Sequence, residues 1–355
     1  VAAYLTSRVL LAVCAAVLAA QHHQSLVSIL TPWDGGYYVA IATSGYPSAV
    51  HLVPAPAFNS TTSAFFAFFP LFPLLGRGLA IVTRMPIGWA LVSVTWLAGA
   101  ASSLLAAALV ATRYGARRGL QAGVLLAVFP GSVVDGIVYA DGVAVAFALG
   151  ALLAAERRRY LLAGALGLAA TASLSLFLVP LVVALLLSAA AARSWRGLVA
   201  PVLAACGAGA YLLYLWVDTG SPFTWTRVER AGWMVHLSAP WSSGTAFYDY
   251  AFWKPGVTAL TIASVAVAAV GLVLLVVVRA PLAWTVLGVL AVIGVTFDGG
   301  AWIAPRFVFD AFPLVLACGI ALPRRALWPV AALSAVALAL LLAAYSPANS
   351  VFLNV

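Results

Sequence analysis

Apolar runs of about 20 residues recur along the chain, separated by short stretches rich in arginine, glycine and proline. A run of that length, wound as a helix, crosses the ~30 Å hydrocarbon core of a bilayer. The pattern predicts helices over residues 5–25, 88–112, 119–134, 136–155, 160–172, 174–192, 198–217, 257–278, 281–297, 307–322 and 326–344, eleven spans in all. The spans near 119–134 and 160–172 are short, and short or broken helices are where membrane proteins tolerate polar groups beside a cavity. Two longer stretches lie between runs, residues 31–86 and 218–256. In the first, Phe65-Phe66-Ala67-Phe68-Phe69-Pro70-Leu71-Phe72-Pro73 suits a helix lying in or dipping into the interface.

Composition agrees with that pattern. Of 355 residues, 65% are hydrophobic and 8% charged. No stretch free of spans is long enough to bury its own core, so the fold class is an all-α polytopic membrane protein and residues 1–355 form one transmembrane domain. The first run has no convincing signal-peptidase site and is expected to be a retained helix. Cys14, Cys206 and Cys318 lie within apolar runs without metal-type spacing and read as small buried hydrophobes.

A net charge of +9 invites a nucleic-acid reading, but its distribution excludes one. Arg113, Arg117 and Arg118, then Arg157, Arg158 and Arg159, then Arg193 and Arg196, Arg279, and Arg324 with Arg325 cluster between runs, as cytoplasmic loops do. With Arg8, that assigns 12 of 18 basic residues to the inner side, with the N-terminus in and the C-terminus out. Eight of the nine acids then fall outside: Asp34, Asp135, Asp141, Asp218, Glu229, Asp249, Asp298 and Asp310, leaving Glu156 inside. The sorting points to polar work on the outer face of a plasma-membrane protein.

Four pieces of the chain together resemble the PIG-V family, the mannosyltransferases that add the second mannose of GPI anchors, and its bacterial relatives. Trp33-Asp34-Gly35-Gly36-Tyr37-Tyr38, continuing to Tyr46, is similar to the family's first external loop. Ala67-Phe68-Phe69-Pro70-Leu71-Phe72-Pro73-Leu74-Leu75 resembles its Phe/Pro block. Phe129-Pro130-Gly131-Ser132 followed by Tyr139-Ala140-Asp141 resembles its Pro-Ala-Ser and Tyr-Ser-Glu-Ser region, and Pro305-Arg306-Phe307 through Phe312-Pro313 its late Arg and Phe-Pro block. The resemblance implies a membrane glycosyltransferase of the GT-C class. Its donor would be a polyprenyl-phosphate sugar, typically mannose, used on the non-cytoplasmic face with an acid of the first loop as base. Where many relatives carry an arginine before the Val179-Pro180 equivalent, this chain reads Thr171-Ala172-Ser173-Leu174-Ser175.

The residues make their own case for such chemistry. Transfer from a sugar phosphate to a hydroxyl needs a base for the acceptor proton and positive charge for the departing phosphate. Asp34 is the candidate base, or else the N-cap of an interfacial helix. Trp33, Tyr37 and Tyr38 either stack on sugar rings or anchor the loop among headgroups. Arg306, at the start of an outer helix, is the candidate phosphate holder, or else the i,i+4 partner of Asp310. Arg230 and Lys254, with Arg227, are further phosphate candidates or face headgroups and water. Tyr139 and Asp141, within or near a short helix, are site candidates or a polar pair between helices. His236 is a weaker candidate. His22, His23 and His51 have no zinc spacing.

No metal site is expected, because no second carboxylate neighbours Asp34 in the sequence. No nucleotide fingerprint appears either, which leaves a lipid-linked donor and no cofactor. The expected partners are membrane lipids, the polyprenyl-phosphate donor and a glycan, glycolipid or protein acceptor, with no nucleic acid. A transporter or flippase of a lipid-linked substrate, a transferase of a different lipid-linked sugar and a non-catalytic subunit are the competing readings. A transporter predicts repeat symmetry and midplane charges, and the sequence offers neither.

Overall fold

The computed structural model describes residues 2–47, 62–233, 255–297 and 304–345, and every element among them is helical. In chain order these are α1 (Ala2–Gln21), α2 (Leu26–Ile29), α3 (Gly35–Ser44), α4 (Leu71–Thr83), α5 (Ile87–Tyr114), α6 (Ala116–Val128), α7 (Asp141–Glu156), α8 (Tyr160–Ser173), α9 (Leu178–Ala191), α10 (Val199–Thr219), α11 (Thr224–Trp233), α12 (Pro255–Val277), α13 (Leu282–Phe297), α14 (Ala304–Asp310), α15 (Pro313–Ala321) and α16 (Leu327–Tyr345). Among the described residues, four helical stretches, Ala2–Gln21, Ile87–Tyr114, Trp195–Thr219 and Arg324–Ala344, are long and apolar enough to cross a membrane.

Their packing is that of helices in lipid. On α1, Leu5, Val9, Val13 and Val17 recur every four residues and stand exposed, while Ser7, Arg8 and Leu11 are buried on the other face. Apolar groups therefore line the outside and the polar ones turn inward, which is unfavourable in water and favourable in a bilayer. Between α8 and α10 the close contact rests on small residues. A Cβ placed on Gly207 would come within 2.1 Å of the Leu168 carbonyl oxygen, so only glycine allows the two backbones to approach this closely.

Two expected helices are interrupted, both at proline. The helix predicted over 119–134 stops at Val128, because the residue before Pro130 is pushed out of the α region: Phe129 has φ −55° and ψ 136°. A 3₁₀ turn, Pro130–Asp135, follows, and α7 begins only at Asp141. The helix predicted over 307–322 is split into α14 and α15, because Pro313 lacks an N–H and can only start a new helix.

Other corrections concern charge and burial. Arg8, counted with the inner-side charges, lies within α1 and is 2% exposed, inside the bundle. Asp135, Asp141 and Asp310, assigned to the outer side, are buried among helices. Cys206, expected to be buried, is exposed on α10.

The arginine clusters share one end of the bundle. Arg113 Nε lies 3.0 Å from Glu156 Oε1, joining the ends of α5 and α7. Arg118 donates to the Ile320 carbonyl at the end of α15, and Tyr114 donates to Val278 and Arg279 after α12. Asp141 starts α7 and Glu156 ends it, so their Cα atoms lie about 22 Å apart along the axis.

Candidate active site

Asp34 owes its place to a tight turn. The Gly35 N–H bonds the Pro32 carbonyl, and Trp33 adopts φ +44°, a left-handed conformation unusual for a large side chain. The turn is docked on the segment before α7: Val138 N–H donates to the Leu30 carbonyl at 2.8 Å, and Gly35 packs where a Cβ would meet the Val138 oxygen at 3.2 Å. Asp34 occupies the N-cap position of α3, yet its side chain makes no capping hydrogen bond. The carboxylate instead faces Arg306, with Oδ2 3.8 Å from Nη1.

Arg306 is the hub. Its Nε lies 3.0 Å from Asp141 Oδ1, and its Cζ stands 5.2 Å from the Tyr139 ring and 5.0 Å from that of Phe307. The Nε–Oδ1 contact is not aligned as a hydrogen bond, so it acts as an ion pair. The i,i+4 pairing with Asp310 is not the one formed. Both oxygens of Asp310, a residue with no exposure, have no hydrogen-bond partner among the described residues. Because α14 is only seven residues long, the guanidinium rather than a helix end supplies the positive charge. Asp141 is a second carboxylate sharing Arg306 with Asp34, although no such neighbour was visible along the sequence.

Asp34, Tyr38, Tyr139, Asp141 and Arg306 all line one cavity of about 460 Å³, a size common for small-ligand sites. Ser173, the last residue of α8, and Ser175, just beyond it, line it too. So does Asp310. An apolar wall comes from Leu176, Val179, Leu290 and Ile293. Of these, Val179 is 57% and Ile293 43% exposed, so the wall continues onto the outer apolar surface.

The aromatic candidates divide. Tyr37 stacks on Phe68 at 4.9 Å and meets Phe65 edge-on, so one ring face is already covered and it is absent from the cavity lining. Trp33 is absent from the lining as well. Tyr38 does line the cavity, wedged edge-on against Phe68 and Phe72. Burial, then the charges of Asp141 and Asp34, push its phenol well above the ordinary range, so it stays a neutral hydroxyl.

Arg230 is exposed on α11 and does not line the cavity, nor does Arg227. Lys254, His236 and His51 lie outside the described residues. The opposite face of α11 was not anticipated: Trp225 and Glu229, four apart, both reach the cavity, and Trp225 meets Phe69 edge-on. The visible signal was the i,i+3 spacing of Trp225 and Val228 within Trp225-Thr226-Arg227-Val228-Glu229-Arg230, which puts an apolar stripe on one side of a short helix.

Beneath Arg306 lies the turn that interrupts α6. A Cβ on Gly131 would fall 1.9 Å from the Pro305 carbonyl oxygen, so glycine is what lets this turn support the start of α14. Gly131→Ala is expected to destabilise the protein by about 1–3 kcal/mol through overpacking, read as a lowered thermal midpoint. An unchanged midpoint would mean that the contact is loose.

The chain matches no protein-family model and no curated protein. A functional reading therefore rests on the site itself.

Proposed function

We propose that the protein is an integral-membrane glycosyltransferase of the GT-C class. In this reading it moves a mannosyl group from polyprenyl-phosphate-mannose to an acceptor hydroxyl outside the cytoplasm, as a bacterial relative of the PIG-V enzymes. The observation that carries the reading is the convergence of Asp34, Arg306 and Asp141 on one cavity. A base and a phosphate-binding cation are what the reaction requires, and an apolar wall beside them suits a lipid carrier.

The burial of each group suggests its role. Asp34 keeps 22% of its side chain exposed and can meet an acceptor. Asp141, at 1%, is held against Arg306 Nε and is suited to orienting the guanidinium. The 3.8 Å approach of Arg306 Nη1 to Asp34 is too long for a hydrogen bond, so this edge of the guanidinium is suited to a further anion.

In the proposed step the acceptor oxygen attacks the anomeric carbon from the face opposite the phosphate. Its proton passes to Asp34 as the carbon–oxygen bond to phosphate breaks, and the bonding pair leaves with polyprenyl phosphate. The phosphate gains negative charge in that step, so Arg306 stabilises the transition state more than the ground state. The anomeric configuration inverts.

The test is to incubate purified protein with polyprenyl-phosphate-mannose and candidate acceptors and to identify products by mass spectrometry. A mannosylated acceptor supports transfer. Intact donor moved across a vesicle bilayer, with no new covalent product, would make the protein a transporter instead.

Orientation is tested separately. In a variant lacking the native cysteines, a cysteine at position 36 should react with an impermeant reagent in intact cells and one at 158 should not. Labelling at 158 with protection at 36 would invert the topology.

A further inference from the structure

Arg8 lies on α1, outside the cavity, and no step above uses it. It is 2% exposed. A buried ionisable side chain within an apolar helix is costly, and an apolar residue of similar volume would fill the same space. What Arg8 touches explains its presence.

Its guanidinium spans the break between α6 and the following turn. Nη2 donates to the Ala127 carbonyl at 3.4 Å, and Nη1 to the Ser132 carbonyl at 3.2 Å. Nη2 also reaches Ser132 Oγ at 3.4 Å, and Nε donates to Ser7 Oγ at 3.3 Å. Ser7 Oγ shares its one proton between the Tyr4 carbonyl at 2.7 Å and the Ala127 carbonyl at 3.1 Å. The carbonyls on either side of Pro130 have lost helical partners, and one planar fork satisfies both. Tyr4 lies beneath it at 5.0 Å, and the Asp135 carboxyl, at the end of the same turn, acts on it electrostatically without a direct ion pair.

The other side of the same turn carries the site. Gly131 seats the Pro305 carbonyl next to Arg306. Asp135 presses on Gly142, where a Cβ would fall 1.9 Å from Asp135 Oδ1, and Gly142 follows Asp141. Residues 127–135 thus form a plate fixed by Arg8 on one face and carrying both members of the Arg306–Asp141 pair on the other.

We infer that Arg8 is a positioning residue, which holds this plate so that Arg306 and Asp141 meet in register. The inference rests on the proposed role of that pair only for its consequence in catalysis.

Amide hydrogen exchange on the purified full chain tests it. Arg8→Lys keeps the charge and loses the fork. Exchange should rise in peptides covering 129–142 and 304–310, and stay at the wild-type level in 160–173 and 199–219. Sugar transfer per folded molecule should fall about 10²-fold, the loss expected when reacting groups shift by about 1 Å.

If Arg8→Lys does not fold, Arg8→Met combined with Asp135→Asn removes both charges. This pair is expected to fold with a near wild-type midpoint and still to show raised exchange at 129–142 and 304–310. Wild-type exchange at those segments in the folded variant would overturn the inference and leave Arg8 as a charge partner alone. The exchange result does not depend on the reaction: a wild-type protein that transfers no sugar refutes the proposed function, while exchange still decides the role of Arg8.

Discussion

Asp34→Asn is expected to abolish sugar transfer, by at least the ~10²–10⁴-fold that general-base assistance supplies, while leaving the protein folded. The amide matches the carboxylate in size and cannot accept the acceptor's proton. No helix cap is lost, because the Asp34 side chain does not cap α3. The charge lost faces Arg306 at 3.8 Å, and Arg306 retains its closer partner, Asp141, at 3.0 Å. Donor binding should therefore stay near wild type, with the loss falling on kcat. Wild-type turnover by a folded Asp34→Asn protein would remove the base assignment and direct attention to Glu229, another carboxylate of the cavity.

Arg306→Ala should do wider damage. It removes the cation shared by Asp34 and Asp141, and breaking a buried pair from one side costs about 3–5 kcal/mol. Transfer must therefore be measured per folded molecule. On that basis donor KM should rise and kcat fall, since the phosphate is held in the ground state and gains charge as it leaves. Arg306→Lys should retain part of both, because lysine restores a point charge without the fork. Asp310→Asn is the control. Asp310 forms no ion pair with Arg306 among the described residues, so its loss should not reproduce the donor defect. An unchanged donor KM in folded Arg306→Ala would exclude the phosphate role.

What was legible in the sequence follows from which physics is local. The positions of the apolar helices were legible because length and hydropathy act within one run: α5, α8, α10 and α13 lie within a few residues of expectation. Asp34 stood out because a carboxylate in a glycine-aromatic turn is rare in so apolar a chain. The helix breaks at Pro130 and Pro313 were readable in principle, since proline restricts its neighbours, but continuous apolarity masked them.

Partnerships were not legible. Asp310 was the natural partner for Arg306 by spacing, whereas Asp141, 165 positions away in the chain, is the one that meets it. Arg8 read only as an inner-side charge because its carbonyl partners are created by the break after α6. Glu229 and Trp225 were hidden because α11 reaches the cavity only through tertiary packing on Phe69.

In the proposed reaction this cavity breaks the bond between a lipid phosphate and a sugar and remakes it on an acceptor. That reaction is tested most directly by following a labelled mannose from polyprenyl-phosphate-mannose, in one assay, with purified wild type and folded Asp34→Asn. Wild type should move the label to the acceptor, with one polyprenyl phosphate released per sugar transferred, and Asp34→Asn should leave the label on the donor. Label remaining on the donor with wild type across the acceptors supplied, or moving equally well with Asp34→Asn, would contradict the proposed reaction.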